Sequence, residues 1–411
     1  MKLLFLAPEF FNAWGGVGIY SIELIKSLSK LNNLDIHVVT PDIKDKARKV
    51  QIKSIFNDSI KVHTISMAND TFIYNLKFQT GIFKEFHNLN KKYDFDIIHS
   101  ANLVHMPDIF LKFQNINTPS VVTAHTTIKG QVDGFLQSSK NPFNMATSEK
   151  LSLLTYPGIS FLEWYYLRST QNIITVSKKF KKILKKEYNY KGKIATIYNS
   201  IDIKNFNFNA LTEKECINKF PFLNDIKGPT VLYAGRLVAQ KGIDVFLKSI
   251  KTLEKTGHYY NYIIAGKGNY KRLFQIINKL NLNSANINYI GHIDNLDLPY
   301  IYKMSDIFVL PSYYENLPIS LLEAMSMKCC CIASNVGAID EIIENKTNGI
   351  LINPGDHQSL SNNIINLAEN TNLMHKLSEK ARKKVLKNFR SSIMAKKTYK
   401  VYKSITKNEA N

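Results

Sequence analysis

Residues 306–341, DIFVLPSYYENLPISLLEAMSMKCCCIASNVGAIDE, leave few choices of fold. Ile307–Leu310 is an apolar run of strand length. Pro311 and Ser312 stop it. Pro318 suits the first turn of a helix, where its missing N–H costs nothing. Leu321, Leu322 and Met325 then share one apolar face. A second short apolar run, 329–333, follows the helix. Strand, loop, helix, strand is the repeating unit of a layered α/β sheet.

The same rhythm runs through the chain. Strands are expected at 2–8, 35–40, 61–65, 96–100, 120–124, 172–177 and 194–198, then at 230–234, 263–268, 287–292, 307–310, 329–333 and 349–352. Helical patterns lie between them. The aromatic stretch 148–168 should be split by Pro157 and Gly158 into two helical pieces. Residues 126–144 and 203–228 read as a polar loop and a linker. The whole is α/β, and 411 residues suit two domains of about 200 each.

Composition excludes several classes. No apolar run approaches the roughly 18–20 residues that span a bilayer. The start, MKLLFLAPEF, is broken by Pro8 and Glu9 and reads as a core strand rather than a leader. A cytoplasmic chain is expected. Cys329, Cys330 and Cys331 fall in a buried strand and Cys216 stands alone, so they read as small core hydrophobes without metal spacing. The net charge of +21 favours anionic partners, although the Lys-, Asn- and Ile-rich composition also follows from a biased genome. No nucleic-acid motif accompanies it, and no nucleic-acid partner is expected.

Several residues carry possible chemistry. Glu315 and Glu323 bracket a helix start, which suits a ligand with both phosphate and hydroxyls: the N–H groups favour the anion and carboxylates accept from hydroxyls. On spacing alone, two solvated acids are the plainer reading. Gly15, Gly16 and Gly18 open a helix after the first strand, where backbone can approach a ligand or simply turn. His125 ends a strand, a place for ligands in open α/β sheets or for a satisfied core histidine. The DFD at 94–96 runs straight into a strand, and no divalent-cation site is expected from it. Residues 177–193 hold eight lysines beside Phe180, Ile183 and Leu184. That is either a solvated face or a basic helix, Lys178–Lys193, lying on an anionic membrane.

The motifs PSYYENLPISLLEAMS, CIASNVGAIDEII, NGILINPGD and GRLVAQKG, with VVTAHTT and NSID, resemble the retaining glycosyltransferases with two Rossmann-like domains (the GT-B architecture; family 4, group 1). The likeness implies two doubly wound domains facing a central cleft. It places an acceptor-binding domain at 1–202 and a donor-binding domain at 203–390, with a final helix, about 391–411, packing back on the first. By that resemblance Glu315 contacts the donor sugar, with Asn316 and Leu317 beside it, and Glu323 contacts the ribose. Arg236 and Lys241 hold the diphosphate, so that no metal or other cofactor is needed. His125 faces the sugar, Gly16 lies by the donor, and Gly18, Glu9 and Trp14 shape the acceptor side. Many members have Gly where this chain has Asn316, so the motif does not name the sugar. The implied activity is retaining transfer from a nucleotide-diphosphate sugar to a glycan, lipid-linked or other, at the inner membrane face or free in the cytoplasm. Two alternatives remain: a sugar-nucleotide epimerase of the same fold, and a non-catalytic nucleotide-sugar binder docked on a membrane.

Overall fold

The computed structural model of the chain describes residues 1–11, 15–67, 74–114, 116–138 and 147–407. Contacts divide it into two units. The first comprises residues 1–129, 155–200 and 391–411, and the second 130–154 and 201–390.

Unit 1 holds β1 (Lys2–Leu6), β2 (Asp35–Asp42), β3 (Lys61–Met67), β4 (Ile97–Ser100), β5 (Ser120–Ala124), β6 (Asn172–Thr175) and β7 (Lys193–Thr196). Its sheet order is β3-β2-β1-β4-β5-β6-β7, all parallel. Unit 2 holds β8 (Thr230–Ala234), β9 (Asn261–Ala265), β10 (Ile287–Gly291), β11 (Ile307–Leu310), β12 (Cys330–Ser334) and β13 (Ile350–Ile352). Its order is β10-β9-β8-β11-β12-β13, again parallel. Both are doubly wound sheets. The order reverses between β1 and β4 in one and between β8 and β11 in the other. In such sheets the crevice beyond the strand carboxyl ends at that reversal is where ligands bind.

The sequence explains the parallel pairing. Parallel strands are covered on both faces and therefore read as continuous apolar runs. Every residue of β8, β11 and β12 is buried. All four cysteines are free and buried. The core of unit 2 joins Val231 and Tyr233 of β8 to Val309, Ile332, Phe246 and Leu360. Each such side chain contributes about 1.5–3 kcal/mol when fully buried. The final helix, Ser391–Lys407, buries Met394, Thr398, Tyr402 and Ile405 on one face. It lies against the helix Gly16–Leu28 of the same unit.

Five local expectations are corrected. Pro157 does not split its stretch: Thr147–Arg168 is one helix with Pro157 inside. The proline removes one backbone hydrogen bond, and the buried Tyr166 and Leu167 tie the far end of the helix to the core. Residues 128–138 form a helix rather than a loop, its first N–H donating to Glu163 at 2.8 Å. The stretch 203–228 is folded, with Phe206, Cys216 and Leu223 buried and a capping box at Thr212 and Glu215. Pro318 stands at the N-cap position of its helix, without a side-chain capping hydrogen bond, rather than in the first turn. The basic helix ends at Lys186, not Lys193. Its Phe180 and Leu184 are spent in the core of unit 1, so that stripe is not presented to a lipid surface. Among the described residues no helix is long and apolar enough to cross a membrane.

Candidate functional site

In unit 2 the two loops that follow β8 and β11 meet at the reversal of strand order. After β8 the chain runs Gly235, Arg236, Leu237, then a short turn at Ala239–Lys241. Leu237 N–H donates to the Lys267 carbonyl at 2.9 Å, fixing this loop against the one after β9. Tyr313 N–H donates to the Gln240 carbonyl at 2.9 Å, fixing it against the loop after β11. Gly242 completes the join. Its φ is +70°, and a Cβ there would stand 1.9 Å from the Pro311 carbonyl oxygen, so only glycine fits.

That join brings Lys241 to Glu315. Lys241 Nζ lies 2.6 Å from Glu315 Oε1, and Ser312 Oγ donates to the same oxygen at 2.9 Å. Glu315 is buried, while Lys241 is partly open. On the far side, Gly337 has φ +55° and a Cβ there would come 1.8 Å from the Glu315 carbonyl. The Ala338 N–H donates to the Asn316 carbonyl at 3.0 Å. The loop carrying Glu315, Asn316 and the buried Leu317 is thus clamped between two glycine turns. Beneath it Tyr233 donates to the carbonyls of Arg236, at 3.1 Å, and Lys241, at 3.4 Å. Burial, then the Glu315 charge, pushes the Tyr233 hydroxyl far above its ordinary range, so it stays a donor. Arg236 itself is exposed.

Glu323 takes a different partner. It lies on the helix Ile319–Ser326, is buried, and accepts from Tyr302 Oη at 3.1 Å. Burial and the neighbouring Glu323 hold the Tyr302 hydroxyl protonated. The helix has no capping side chain at Pro318. A helix begun this way keeps its first N–H groups available to an anion.

In unit 1 the candidate residues follow β1, β4 and β5, at and beside the reversal of strand order. Glu9 follows β1, and its Oε1 stands 3.6 Å from Nε2 of His105, which follows β4. His125 follows β5, is buried, and hydrogen-bonds the Ala101 carbonyl. Its imidazole meets the Tyr20 ring edge-on at 4.5 Å. Burial holds His125 down to about 3 and His105 to about 4, so both are neutral near pH 7. His125 can therefore accept or donate hydrogen bonds but brings no charge. Gly16 is the first residue of its helix and is exposed, and a Cβ there would meet nothing within 4 Å. Gly18 is buried in the same first turn. Trp14 lies outside the described residues. Asp96, of the discounted acidic pair, accepts the Lys2 N–H at 2.6 Å and ties β4 to β1.

Three participants escaped the sequence reading. Ser312 was legible only as a strand terminator, although it stands three residues before Glu315. Tyr233 is indistinguishable from any other strand residue. His105 sits in no motif, and only the fold brings it to Glu9.

Comparison with known proteins gives the following. The model described as Glycosyl transferases group 1 matches residues 217–384, and that described as Glycosyltransferase Family 4 matches residues 14–205. The chain is 27% identical to the UDP-Gal:alpha-D-GlcNAc-diphosphoundecaprenol alpha-1,3-galactosyltransferase of Escherichia coli, over 81% of each chain. Its fold matches the sucrose-phosphate synthase of Thermosynechococcus elongatus with TM-score 0.79, at 19% identity and 98% coverage of both chains. It also matches Anabaena HepE, solved in complex with UDP-glucose, with TM-score 0.74 and 18% identity, covering 98% of this chain and 100% of the other.

Proposed function

The chain belongs to the group 1, family 4 glycosyltransferases, enzymes that move a sugar from a nucleotide-sugar donor, and on that premise we propose that it is a retaining, metal-independent transferase that takes a UDP-sugar and elongates a lipid-linked glycan. One observation carries the reading: a lysine and a buried carboxylate 2.6 Å apart, held by Ser312, where strand order reverses in unit 2. The donor diphosphate is the leaving group. Lys241 and Arg236 stabilise the charge that builds on it as the glycosidic bond breaks, the work a metal does in other enzymes. Glu315 accepts from a sugar hydroxyl, with Asn316 and Leu317 fixing the loop, and Glu323 from the ribose. His125, neutral, contacts the transferred sugar. Glu9 and Gly18 line the acceptor side, and Gly16 the donor side. In a same-face reaction the leaving β-phosphate takes the acceptor proton as the new glycosidic bond forms.

Uridine as the base is supported by the relatives: the Escherichia coli enzyme is named for UDP-Gal and the Anabaena protein was solved with UDP-glucose. The same Escherichia coli name supports an acceptor carried on a lipid diphosphate. The charge of +21 suits an anionic cytoplasmic membrane face.

The test is a nucleotide-sugar panel offered with and without a lipid-diphosphate glycan acceptor, in chelator. The expected result is UDP release in step with a new glycoside of unchanged anomeric configuration. Inverted product, a strict need for metal, or a donor other than a UDP-sugar overturns the corresponding clause. A sugar altered without acceptor identifies an epimerase.

A further inference from the structure

A chain of buried hydrogen bonds runs through unit 1 from its last helix towards His125. Tyr402, on Ser391–Lys407, places its hydroxyl 2.5 Å from Nδ1 of His99 in β4. His99 Nε2 lies 2.8 Å from Thr123 Oγ1 in β5. Thr123 Oγ1 in turn lies 2.7 Å from the hydroxyl of Tyr20, on the helix Gly16–Leu28. The Tyr20 ring then stands edge-on to the His125 imidazole, centroids 4.5 Å apart and planes at 77°. Tyr402, His99 and Thr123 are fully buried and Tyr20 nearly so. Four elements far apart in sequence each give one side chain.

The proton count leaves the network two directions. Burial keeps His99 neutral, so one ring nitrogen donates and the other accepts. One of Tyr402 and Thr123 therefore donates to it while the other accepts from it. A buried network of this kind is a poor way to gain stability, because apolar residues of the same shape pack as well. What a fully satisfied network supplies is a single geometry. Here that geometry ends on the residue after β5. The other anchor of His125, the Ala101 carbonyl, stands two residues beyond His99 on the same stretch of chain.

We infer that Tyr402, His99 and Thr123 are positioning residues: they hold the Tyr20 hydroxyl, and the Tyr20 ring sets the plane of the His125 imidazole. The last helix thereby acts on the site, not only on stability. The inference rests on the reading of His125 as a contact to the transferred sugar.

Tyr402→Phe and Tyr20→Phe keep the rings and remove only the hydroxyls. Met394→Ala strips packing from the same last helix, where Met394 is buried, and leaves the chain of hydrogen bonds intact. UDP release from UDP-glucose and UDP-galactose is followed below each variant's melting temperature. The expected kcat is about tenfold lower for Tyr20→Phe and roughly three- to tenfold lower for Tyr402→Phe, with KM for the donor within about twofold. Met394→Ala keeps kcat within about twofold while losing thermal stability. On a His125→Ala background Tyr20→Phe has no further effect, since no imidazole remains to orient. Tyrosine variants that match wild type while His125→Ala is slow, or that slow the enzyme equally without the imidazole, overturn the inference. A second readout needs no turnover. The His125 ring nitrogen resonances, assigned by their loss in His125→Ala, shift in Tyr402→Phe and stay in place in Met394→Ala. Unshifted resonances in Tyr402→Phe overturn the inference even if His125 proves not to touch the sugar, an outcome that His125→Ala turnover reports separately.

Discussion

Lys241 and Glu315 hold each other, and this makes both vulnerable. Glu315 is 8% exposed, so removing its cation leaves a largely desolvated carboxylate with Ser312 as its remaining neighbour in this cluster. Breaking a buried pair by deleting one partner costs more than the pair contributes. Lys241→Ala should lower unfolding free energy by about 1–3 kcal/mol in denaturant titration. Turnover should fall on the order of 10²–10³, because the role proposed for that cation is to stabilise the leaving group. Glu315→Gln should recover much of the stability and little of the turnover. The histidines of unit 1 make a separate prediction about pH. Burial holds His99, His105 and His125 down to about 3, 4 and 3. Unfolded, each titrates near 6.5. Between about pH 6.5 and 4 the unfolded chain therefore binds more protons, so stability is present above that window and lost as pH falls through it. His105→Gln deletes one of these contributions. Its stability-versus-pH curve should be flatter than that of wild type across the window, by roughly 2–3 kcal/mol at the acid end. Parallel curves would contradict the burial of that imidazole.

Strands and helices differ in how far the sequence declares them. Strands such as β8, β11 and β12 are short apolar runs because both faces are covered, and that pattern is visible in the residues. What was not visible depends on distant partners. The helix beginning at Ile128 looks like a polar loop until Glu163, 35 residues on, takes its first N–H. The helix through Pro157 looks broken until its far end is seen anchored by Tyr166. The site shows the same division. Arg236, Lys241, Glu315 and Glu323 stand in recognisable motifs, whereas the contact across 74 residues between Lys241 and Glu315 exists only because Gly242 and Tyr313 dock two loops. The basic helix Lys178–Lys186 is instructive because its pattern permitted a membrane role. Its Leu184 is fully buried. Leu184→Ala should cost about 2–5 kcal/mol with no lipid present. A stripe serving only to dip into a bilayer would lose nothing measurable in that experiment.

Two Rossmann-like parallel sheets, each with one reversal of strand order beside which candidate site residues lie, form the common plan of this glycosyltransferase chain. Cations and carboxylates lie in unit 2, and neutral imidazoles, glycines and a single acid in unit 1. That distribution supports the proposal that the charged diphosphate sits in the second unit while the first reads hydroxyls and the acceptor. On that proposal Arg236 and Lys241 grip a diphosphate with no metal to help. Calorimetric titration of UDP in excess chelator, into wild type, Arg236→Ala and Lys241→Ala, measures that grip directly. Wild type should bind, and each variant should lose about tenfold or more in affinity, about 1.4 kcal/mol or more. Affinities equal across all three proteins, or binding by wild type only after divalent metal is restored, would contradict it.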